Sequence, residues 1–263
     1  MTYSTITYEA AGGLATLTLN RPEQRNGMTN TMVRETHEAL TRAAADRSVR
    51  VLVLTGAGER AFCPGADLNW ATGAIDPSDT AEAQHFRVPV LLHEMSAVTI
   101  AAINGAAAGA GLGWACACDI RVAKRSAVLN TAFLNVAVAG DMGIPWSLPR
   151  LIGASRARDL SFFPDKFPAE EAHRIGLVTR LIEDDGFRSA VAGMVESLLA
   201  RAPSALLRMK AHYLAAEKMG FADYVDLETE RHLRPPSAAA AAGRQEAFKA
   251  FVEKRQPVFE PGA

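Results

Sequence analysis

The sequence lacks the features that distinguish secreted, metal-framework and nucleic-acid-binding proteins. Three cysteines among 263 residues, with no C-x-x-C pair, disfavour a disulfide framework or zinc site and favour reduced, buried thiols. Lys and Arg total 28 against 29 Asp and Glu, and no basic run of five residues occurs. A net charge of −1 gives no electrostatic footprint for nucleic acid or an anionic membrane, so neither is an expected partner.

Targeting and membrane-spanning patterns are also missing. Residues 1–10 have neither a positively charged start nor an apolar stretch, so we expect no secretory signal and a cytoplasmic location. The longest weakly polar run, Thr99–Cys118, is rich in Ala and Gly, which suits a tightly packed core better than a bilayer span. The apolar share of 49% and the charged share of 22% are ordinary for a soluble globular protein.

The pattern of apolar residues predicts a mixed α/β chain. Alternation predicts an antiparallel pair of Ile6–Glu9 with Leu14–Leu19, and the continuous apolar runs Val51–Leu54 and Thr99–Ile103 predict buried strands. Every element predicted after Gly143 is a helix, so we expect a β/α core over residues 1–200 and a helical region over residues 201–263, with no strand in the final third. The other predicted elements are strands Ile120–Ala123 and Val128–Asn130 and helices Thr29–Asp46, Glu82–Met95, Trp146–Ile152, Ser155–Phe163, Ala169–Ile175, Phe187–Arg201, Pro203–Lys218, Phe221–His232 and Gly243–Lys254.

The stretch Asn104–Gly113 is made mostly of Gly and Ala and joins a buried strand to a helix that is expected to begin immediately afterwards. The first N–H groups of a helix lack intrahelical partners and lie at the positive end of its dipole, and small side chains let an oxygen approach them. This arrangement favours an oxyanion site, although close helix–sheet packing accounts for the small residues equally well. A dinucleotide-binding turn is disfavoured, because Trp114 occupies the third glycine position.

A second Gly-Ala step, Gly65-Ala66, follows another predicted strand, and two backbone donors from separate loops are what a carbonyl that develops negative charge requires. Six motifs then occur in order: RPEQRNGMT (Arg21–Thr29), RAFCPGADL (Arg60–Leu68), INGAAAGAGLGWACACDI (Ile103–Ile120), LPRLIG (Leu148–Gly153), AEEAHRIGLVTRLI (Ala169–Ile182) and AFVEKRQPVF (Ala250–Phe259). In these motifs the sequence resembles the crotonase superfamily, the enoyl-CoA hydratase/isomerase family, across nearly the whole chain.

The resemblance implies an α/β fold, a crotonase-like spiral of β-β-α units. Residues 1–200 would form the acyl-CoA-binding core, and residues 201–263 a C-terminal helical trimerisation region of a homotrimer or a dimer of trimers. The implied substrate is an acyl-CoA thioester whose oxygen is held by the N–H groups of Ala66 and Ala110. Coenzyme A is then part of the substrate, and no separate cofactor or metal is expected.

The resemblance also implies a set of substrate contacts. Arg25 matches a phosphate partner, while Phe251 and Lys254 match residues that a neighbouring subunit supplies. Taken alone, Arg25 and Lys254 would be solvated surface charges. The other implied contacts are Pro64, Asp67 and Leu68 beside the adenine, Gly109 in the oxyanion turn, and Phe133 near the acyl group. Trp70, Phe86 and Trp146 are further candidates for the acyl pocket, although such residues are more often core.

The chain departs from typical hydratases of this family at both catalytic glutamates, since Gly113 and Phe133 occupy the matching positions. Neither can orient a water or protonate the α-carbon, so standard hydration is not expected. Asp141 matches a position at which divergent members carry a working aspartate. Its apolar neighbours are expected to raise its pKa, which suits a group that accepts and donates a proton. The alternative is that Asp141 caps the helix that follows.

The sequence therefore predicts an enoyl-CoA isomerase-type proton shuttle that uses an oxyanion hole and Asp141. Three alternatives stay open. The first is an atypical hydratase that uses Asp141 alone, and the second is a non-catalytic acyl-CoA-binding homologue. The third is a dehalogenase-like use of Asp141 as nucleophile. This use needs a His at the position of Phe86, which is next to His85, and a Trp at the position of Phe133.

Overall fold

The computed structural model of the chain describes residues 2–68, 79–234 and 237–259. Its strands form a six-stranded sheet in the order β1-β2-β3-β5-β7-β10 and a four-stranded sheet in the order β4-β6-β8-β9. The strands are β1 (Ile6–Ala11), β2 (Leu14–Leu19), β3 (Val51–Gly56), β4 (Ala61–Cys63), β5 (Val98–Ile103), β6 (Ala106–Ala108), β7 (Ile120–Lys124), β8 (Val128–Asn130), β9 (Phe167–Pro168) and β10 (Arg180–Ile182).

The larger sheet begins with the predicted hairpin. β1 and β2 pair antiparallel, with Ile6 opposite Leu19 and Ala11 opposite Leu14. Gly12 and Gly13 join them with φ angles of 61° and 91°, which only glycine adopts readily. The alternating burial of β2 matches the alternation of its sequence, so this prediction is confirmed.

The remaining strands of this sheet run parallel to β2. β3 pairs with β2 and with β5, and its side chains alternate between two apolar layers: Leu52 and Leu54 belong to the main core, whereas Val51 and Val53 pack in a second cluster with Phe187 and Val195. The continuous apolar run of β3 is therefore explained by cover on both faces.

One prediction about this sheet is wrong. β10 (Arg180–Ile182) lies in the final third of the chain, where no strand was expected, and pairs parallel with β7 at the sheet edge. The strand is too short for a periodicity to show, and its residues are half-buried or exposed. The boundary between residues 200 and 201 stays a prediction.

The helices agree with the predicted ones within two residues at each end, with two exceptions. The helix predicted over Glu82–Met95 is α-helical only over Val88–Glu94, because Ala83–Arg87 form a 3₁₀ helix before it. The last helix begins at Ala238 rather than Gly243, because the alanine run belongs to it and Ser237 caps it by accepting a hydrogen bond from Ala240 N at 3.0 Å. The helices are α1 (Asn30–Ala45), α2 (Val88–Glu94), α3 (Gly109–Ala117), α4 (Ile144–Ile152), α5 (Ala154–Phe162), α6 (Ala169–Arg174), α7 (Phe187–Leu199), α8 (Pro203–Ala216), α9 (Phe221–Leu233) and α10 (Ala238–Glu253).

The described helices contain no single one long and apolar enough to cross a membrane. One pair, Asp184–Leu199 with Pro203–Ala216, passes the same length and composition criteria when taken together and is bent by 101° at its break.

An ion pair between a buried lysine and a partly exposed aspartate attaches α8 to the core. Lys210 Nζ lies 2.8 Å from Asp119 Oδ2 and donates to Ala97 O at 2.9 Å, while the Asp119 carboxylate also accepts from Thr99 N at 2.7 Å. The Lys210 side chain is almost fully buried, so its charge depends on these acceptors. The pair fixes α8 against the segment that leads into β5.

We predict that Lys210→Met lowers the free energy of unfolding by about 2 kcal/mol, because it removes charge-assisted hydrogen bonds and leaves Asp119 without its cation. The matched control is Lys218→Met. Lys218 pairs with Glu94 at 3.0 Å on the surface, where such pairs contribute less than about 1 kcal/mol. Urea unfolding of both variants measures the difference. Equal losses of unfolding free energy would contradict a stabilising role for the Lys210–Asp119 ion pair.

Candidate active site

The loops that carry Ala66 and Ala110 touch through their backbones. Gly65 has a φ angle of 94°, and a β-carbon on it would lie 3.1 Å from Ala108 O and 3.5 Å from Ala110 N. Gly109, directly before Ala110, has a φ angle of 50°. Glycine at both positions lets each loop turn sharply and approach the other without steric conflict. The structure thus brings these two predicted donors together.

Strand pairing accounts for this proximity. The sequence predicts a Gly/Ala turn between β5 and α3, but Ala106–Ala108 of that stretch form β6, which pairs parallel with β4 through Ala61↔Ala106 and Cys63↔Ala107. Because parallel strands end at the same edge, the loop after β4 and the first turn of α3 leave side by side. The helix begins directly after this stretch, at Gly109, as expected, and the unpredicted β6 is the element that places its first turn.

Both interpretations of the Gly/Ala stretch hold at different residues. A β-carbon on Gly105 would lie 2.5 Å from the carbonyl carbon of Arg60, and one on Gly111 would lie 2.3 Å from Cys63 O. These two glycines serve close packing. Gly109 instead serves the backbone turn that presents the next N–H group.

Neither candidate donor is used inside the described part of the chain. Ala110 is the second residue of α3, where an N–H has no intrahelical acceptor. Among residues 2–68, 79–234 and 237–259 no backbone carbonyl accepts from Ala66 N. Two backbone N–H groups on adjoining loops therefore have no acceptor within the described part of the chain.

Hydrogen bonds on the other side hold the Ala66 loop in place. Met28 N donates to Gly65 O at 2.8 Å, and Asp67 N donates to Met28 O at 2.9 Å. Arg21 Nη1 lies 2.8 Å from Asp67 Oδ2 and also donates to Gly27 O. The carboxylate of Asp67 is thus part of a brace. Sequence reasoning missed Arg21, whose only signal was its place at the start of the first motif.

The segment that carries Arg25 has an unusual backbone. Arg25 and Asn26 have φ angles of 54° and 61°. The buried Asn26 amide donates to Ala57 O at 3.0 Å and Ala61 O at 2.9 Å, so it links this segment to β4. Arg25 itself is exposed and makes no ion pair with a described residue. Its predicted contact with a phosphate stays a prediction.

Asp141 lies in a tight turn between residues of positive φ. Gly140, Met142 and Gly143 have φ angles of 105°, 47° and 74°. Met142 is buried, and a β-carbon on Gly113 would lie 2.9 Å from its Cβ and 3.1 Å from its carbonyl oxygen. Gly113 is one helical turn beyond Ala110 on α3. The turn that carries Asp141 therefore rests on the helix that presents Ala110.

The Asp141 side chain makes no hydrogen bond or ion pair with any described residue, and its prediction as a helix cap is wrong. Gly143 is the N-cap of α4, without a side-chain bond, and Asp141 contributes only its backbone oxygen, which accepts from Ile144 N at 3.1 Å. Apolar surroundings raise the pKa of Asp141 by desolvation, although the residue still reaches solvent. An unpaired carboxylate with a raised pKa is a recurrent property of proton-transfer groups.

A cavity of about 340 Å³ opens beside this turn. The Phe133 ring forms part of its wall. The same ring is next to Gly109, since a β-carbon on Gly109 would lie 3.9 Å from Phe133 Cε1. Trp146 does not line this cavity. It lies in a separate one, with its ring 3.9 Å from the Arg150 guanidinium carbon and edge-on to His93. Trp146 thus does not shape this cavity, while Trp70 lies outside the described residues.

Comparison with known proteins identifies the class of this site. The sequence profile described as Enoyl-CoA hydratase/isomerase matches residues 9–262. The chain belongs to the enoyl-CoA hydratase/isomerase family. A probable enoyl-CoA hydratase of Rhodobacter capsulatus is 36% identical over 98% of this chain and 99% of its own. The 1,2-epoxyphenylacetyl-CoA isomerase of Escherichia coli is 34% identical over 94% and 95%.

The fold agrees with the same family. The crystal structure of an enoyl-CoA hydratase from Bacillus anthracis superimposes with a TM-score of 0.88 at 28% identity, covering 99% of this chain and 100% of that one. The predicted crotonase-like α/β fold is confirmed. The chain is therefore an acyl-CoA-processing enzyme of the hydratase/isomerase family.

Within this family, the two positions that the resemblance assigns to the hydratase glutamates are filled differently here. Gly113 packs against Met142 so closely that no side chain fits without displacing the Asp141 turn. Phe133 places an aromatic ring beside the oxyanion turn. Neither position supplies a carboxylate.

The remaining predicted contacts lie apart from this centre or at its edge. Leu68 is 63% exposed, and Pro64, four residues earlier in the chain, is half-buried. Phe251 is 85% exposed on α10, and Lys254 ends that helix, exposed, with a φ angle of 53°. Their predicted contacts with substrate, like those of the other site residues, stay predictions.

We predict that Gly113→Ala destabilises the protein by about 1–3 kcal/mol, since its β-carbon would overlap Met142. Gly193→Ala is the matched control. A β-carbon on Gly193, in the middle of α7, meets nothing within 4 Å, so helix propensity should stabilise that variant by up to about 1 kcal/mol. Thermal unfolding measures both. A stabilised Gly113→Ala would show that the Asp141 turn does not rest on α3.

Proposed function

We propose that this chain is an enoyl-CoA isomerase that shifts a carbon–carbon double bond along the acyl group of a CoA thioester. The observation that carries the proposal is the juxtaposition of two free backbone N–H groups with an unpaired carboxylate whose turn rests on the same helix. The donors stabilise charge on an oxygen, and the carboxylate moves a proton. Together they suffice for an isomerisation through an enolate.

In the proposed reaction, the thioester oxygen of a 3-enoyl-CoA accepts hydrogen bonds from Ala66 N and Ala110 N. The Asp141 carboxylate removes a proton from the α-carbon, and the electron pair of that C–H bond moves into the conjugated system, so that negative charge develops on the oxygen. Asp141, now protonated, returns the proton to the γ-carbon and the double bond moves to the 2-position. The product has the same atoms as the substrate, and Asp141 is ionised again at the end of the reaction.

The usual rate contributions of such groups support these roles for the two N–H donors and Asp141. One oxyanion donor typically contributes 10²–10³ in rate, and a positioned general acid–base contributes on the order of 10²–10⁴. The dipole of α3 also favours negative charge at Ala110. A single carboxylate that accepts and then donates one proton therefore suffices for isomerisation, whereas hydration additionally needs a water held in position.

The names of relatives favour a second candidate, an atypical hydratase. The Rhodobacter relative is named a probable enoyl-CoA hydratase, and a relative from Thauera aromatica, 32% identical, is named (E)-benzylidenesuccinyl-CoA hydratase. The relative named 1,2-epoxyphenylacetyl-CoA isomerase points the other way. For this chain, neither Gly113 nor Phe133 carries a carboxylate that could position a water, so isomerisation is the proposal.

The other two alternatives have less support. A non-catalytic acyl-CoA-binding protein would not require an unpaired carboxylate beside the donors. A dehalogenase-like mechanism would need a histidine base, and His85 Nδ1 instead accepts from Glu82 N at 2.9 Å in the helical turn before α2.

We also propose that the chain acts as a trimer or a dimer of trimers in the cytoplasm, with Phe251 and Lys254 reaching the site of a neighbouring copy. The C-terminal helices support this, because they expose large apolar side chains such as Phe221, Phe248 and Phe251. The free buried cysteines fit a reducing compartment.

We predict that Asp141→Asn lowers kcat for isomerisation of a 3-enoyl-CoA by at least about 10², because the amide cannot accept the proton. The Kd for the thioester should change little. Asp159→Asn, an exposed aspartate of α5 outside the site, is the control and should retain full activity. Steady-state kinetics and isothermal titration calorimetry provide the two readouts, and an active Asp141→Asn would refute the assignment.

The pH profile gives an independent prediction. Because desolvation raises the pKa of Asp141, the protonated form, which cannot act as a base, persists to higher pH than for an ordinary aspartate. The kcat/KM for isomerisation should fall on the acid side through a pKa above about 3.9, the usual value. Thioester binding measured over the same range serves as the control. An acid limb at or below the usual aspartate value would contradict the desolvated carboxylate as base.

A further inference from the structure

Among the described residues that line the cavity beside Phe133, one has a charged side chain. Its walls come from the loop between β8 and α4, from α4 and from α5, and most of its lining is aliphatic or aromatic. The lining residues are Phe133, Leu134, Val138, Ala139, Gly140, Ile144, Pro145, Leu148, Pro149, Ala154, Ala157, Arg158, Ser161 and Phe162. Arg158 and Ser161 are its polar members, and both belong to α5.

Arg158 has no structural task that explains its position. Its guanidinium forms no hydrogen bond or ion pair with a residue in the described ranges. The neighbouring Asp159 is adjacent in the helix and so faces a different direction. Ser161, by contrast, already donates its hydroxyl to Ala157 O at 2.7 Å. The cavity therefore holds an apolar surface with one unpaired cation.

The cavity also borders the proposed reaction centre. Phe133 lies between it and Gly109 of the oxyanion turn, and Gly140 in its wall directly precedes Asp141. An acyl group whose thioester oxygen is bound at Ala66 and Ala110 therefore has this cavity beside its reacting carbons. Arg158 lies on the wall of this cavity that α5 contributes.

We infer that the site takes acyl-CoA thioesters whose acyl group is an apolar chain or ring carrying a second, terminal carboxylate that pairs with Arg158. The inference rests on the proposed function for the placement of the thioester. A neutral tail filling this cavity would desolvate the guanidinium without compensation, which costs free energy. A carboxylate would satisfy it with charge-assisted, bidentate hydrogen bonds.

The test compares two unreactive thioesters of equal chain length, hexanoyl-CoA and adipoyl-CoA, which differ by the terminal carboxylate. Octanoyl-CoA and suberoyl-CoA repeat the comparison with a longer chain. Because Arg158 is exposed, we expect the dicarboxylic thioester of at least one pair to bind about fivefold more tightly at low salt. Isothermal titration calorimetry measures the Kd values.

Arg158→Leu should abolish this preference, and Arg158→Lys should retain part of it. Arg156→Leu is the matched control, since Arg156 is exposed on the same helix but does not line the cavity. That variant changes the net charge equally and should keep the full preference. A general electrostatic effect would reduce the preference for the dicarboxylic thioester equally in Arg158→Leu and Arg156→Leu. That result would overturn the role of Arg158.

The outcomes separate this inference from the proposed isomerase. Equal Kd values for both members of both pairs, or a preference that survives Arg158→Leu, would overturn the inference and leave the isomerase untouched. A preference lost in Arg158→Leu would uphold the inference even if Asp141→Asn stayed active. Failure to bind any of the four thioesters would overturn both. A change of oligomeric state in Arg158→Leu, with thioester affinity unaltered, would assign the cavity to contact between copies and also overturn the inference.

Discussion

The candidate site depends on the parallel pairing of β4 with β6. This short ladder brings Gly65 against the backbone of Ala108–Ala110, so that two loops from distant parts of the sequence turn at the same edge. Glycines at 105 and 111 make the approach possible, because any β-carbon there would collide with the backbone of the neighbouring strand. Two N–H groups without acceptors are the product of that packing. The chemistry of the site thus follows from a constraint on side-chain size.

The same helix connects this pair of donors to the acid. α3 presents Ala110 in its first turn and, one turn later, a bare surface at Gly113 on which Met142 rests. The positive φ angles around Asp141 then hold its carboxylate away from the cap of α4. Gly113, where the resemblance places a glutamate, therefore also makes room for the turn that carries Asp141.

Much of this fold was predictable from the sequence. Alternation and continuous apolar runs predicted the hairpin and the buried strands, and apolar periodicity together with Gly and Pro predicted most helix ends, because those signals extend over many residues. β4, β6, β9 and β10 were not predicted, since strands of two or three residues show no period. The predicted start of the last helix at Gly243 leaves out the alanine run before it, although alanine is the strongest helix former.

The site was predictable in part, and for reasons that differ between residues. The Gly-Ala steps and the position of Asp141 were visible as motifs. The brace from Arg21 to Asp67 and the contact of Gly113 with Met142 are tertiary, and nothing local indicates them. The helix-cap interpretation of Asp141 was wrong because Met142 and Gly143 turn through positive φ and move the cap to Gly143. The separation of Trp146 from the cavity beside Phe133 was also not predictable, since only packing decides which face of α4 meets which cavity.

The site is proposed to move a proton and to add no water. The decisive measurement is turnover of matched 3-enoyl- and 2-enoyl-CoA thioesters in oxygen-18 water, with products analysed by mass spectrometry and NMR. We expect the double bond to move between the two positions and no oxygen-18 to enter the acyl group. A 3-hydroxyacyl-CoA labelled with oxygen-18, formed from the 2-enoyl thioester while the 3-enoyl thioester stays unchanged, would contradict it.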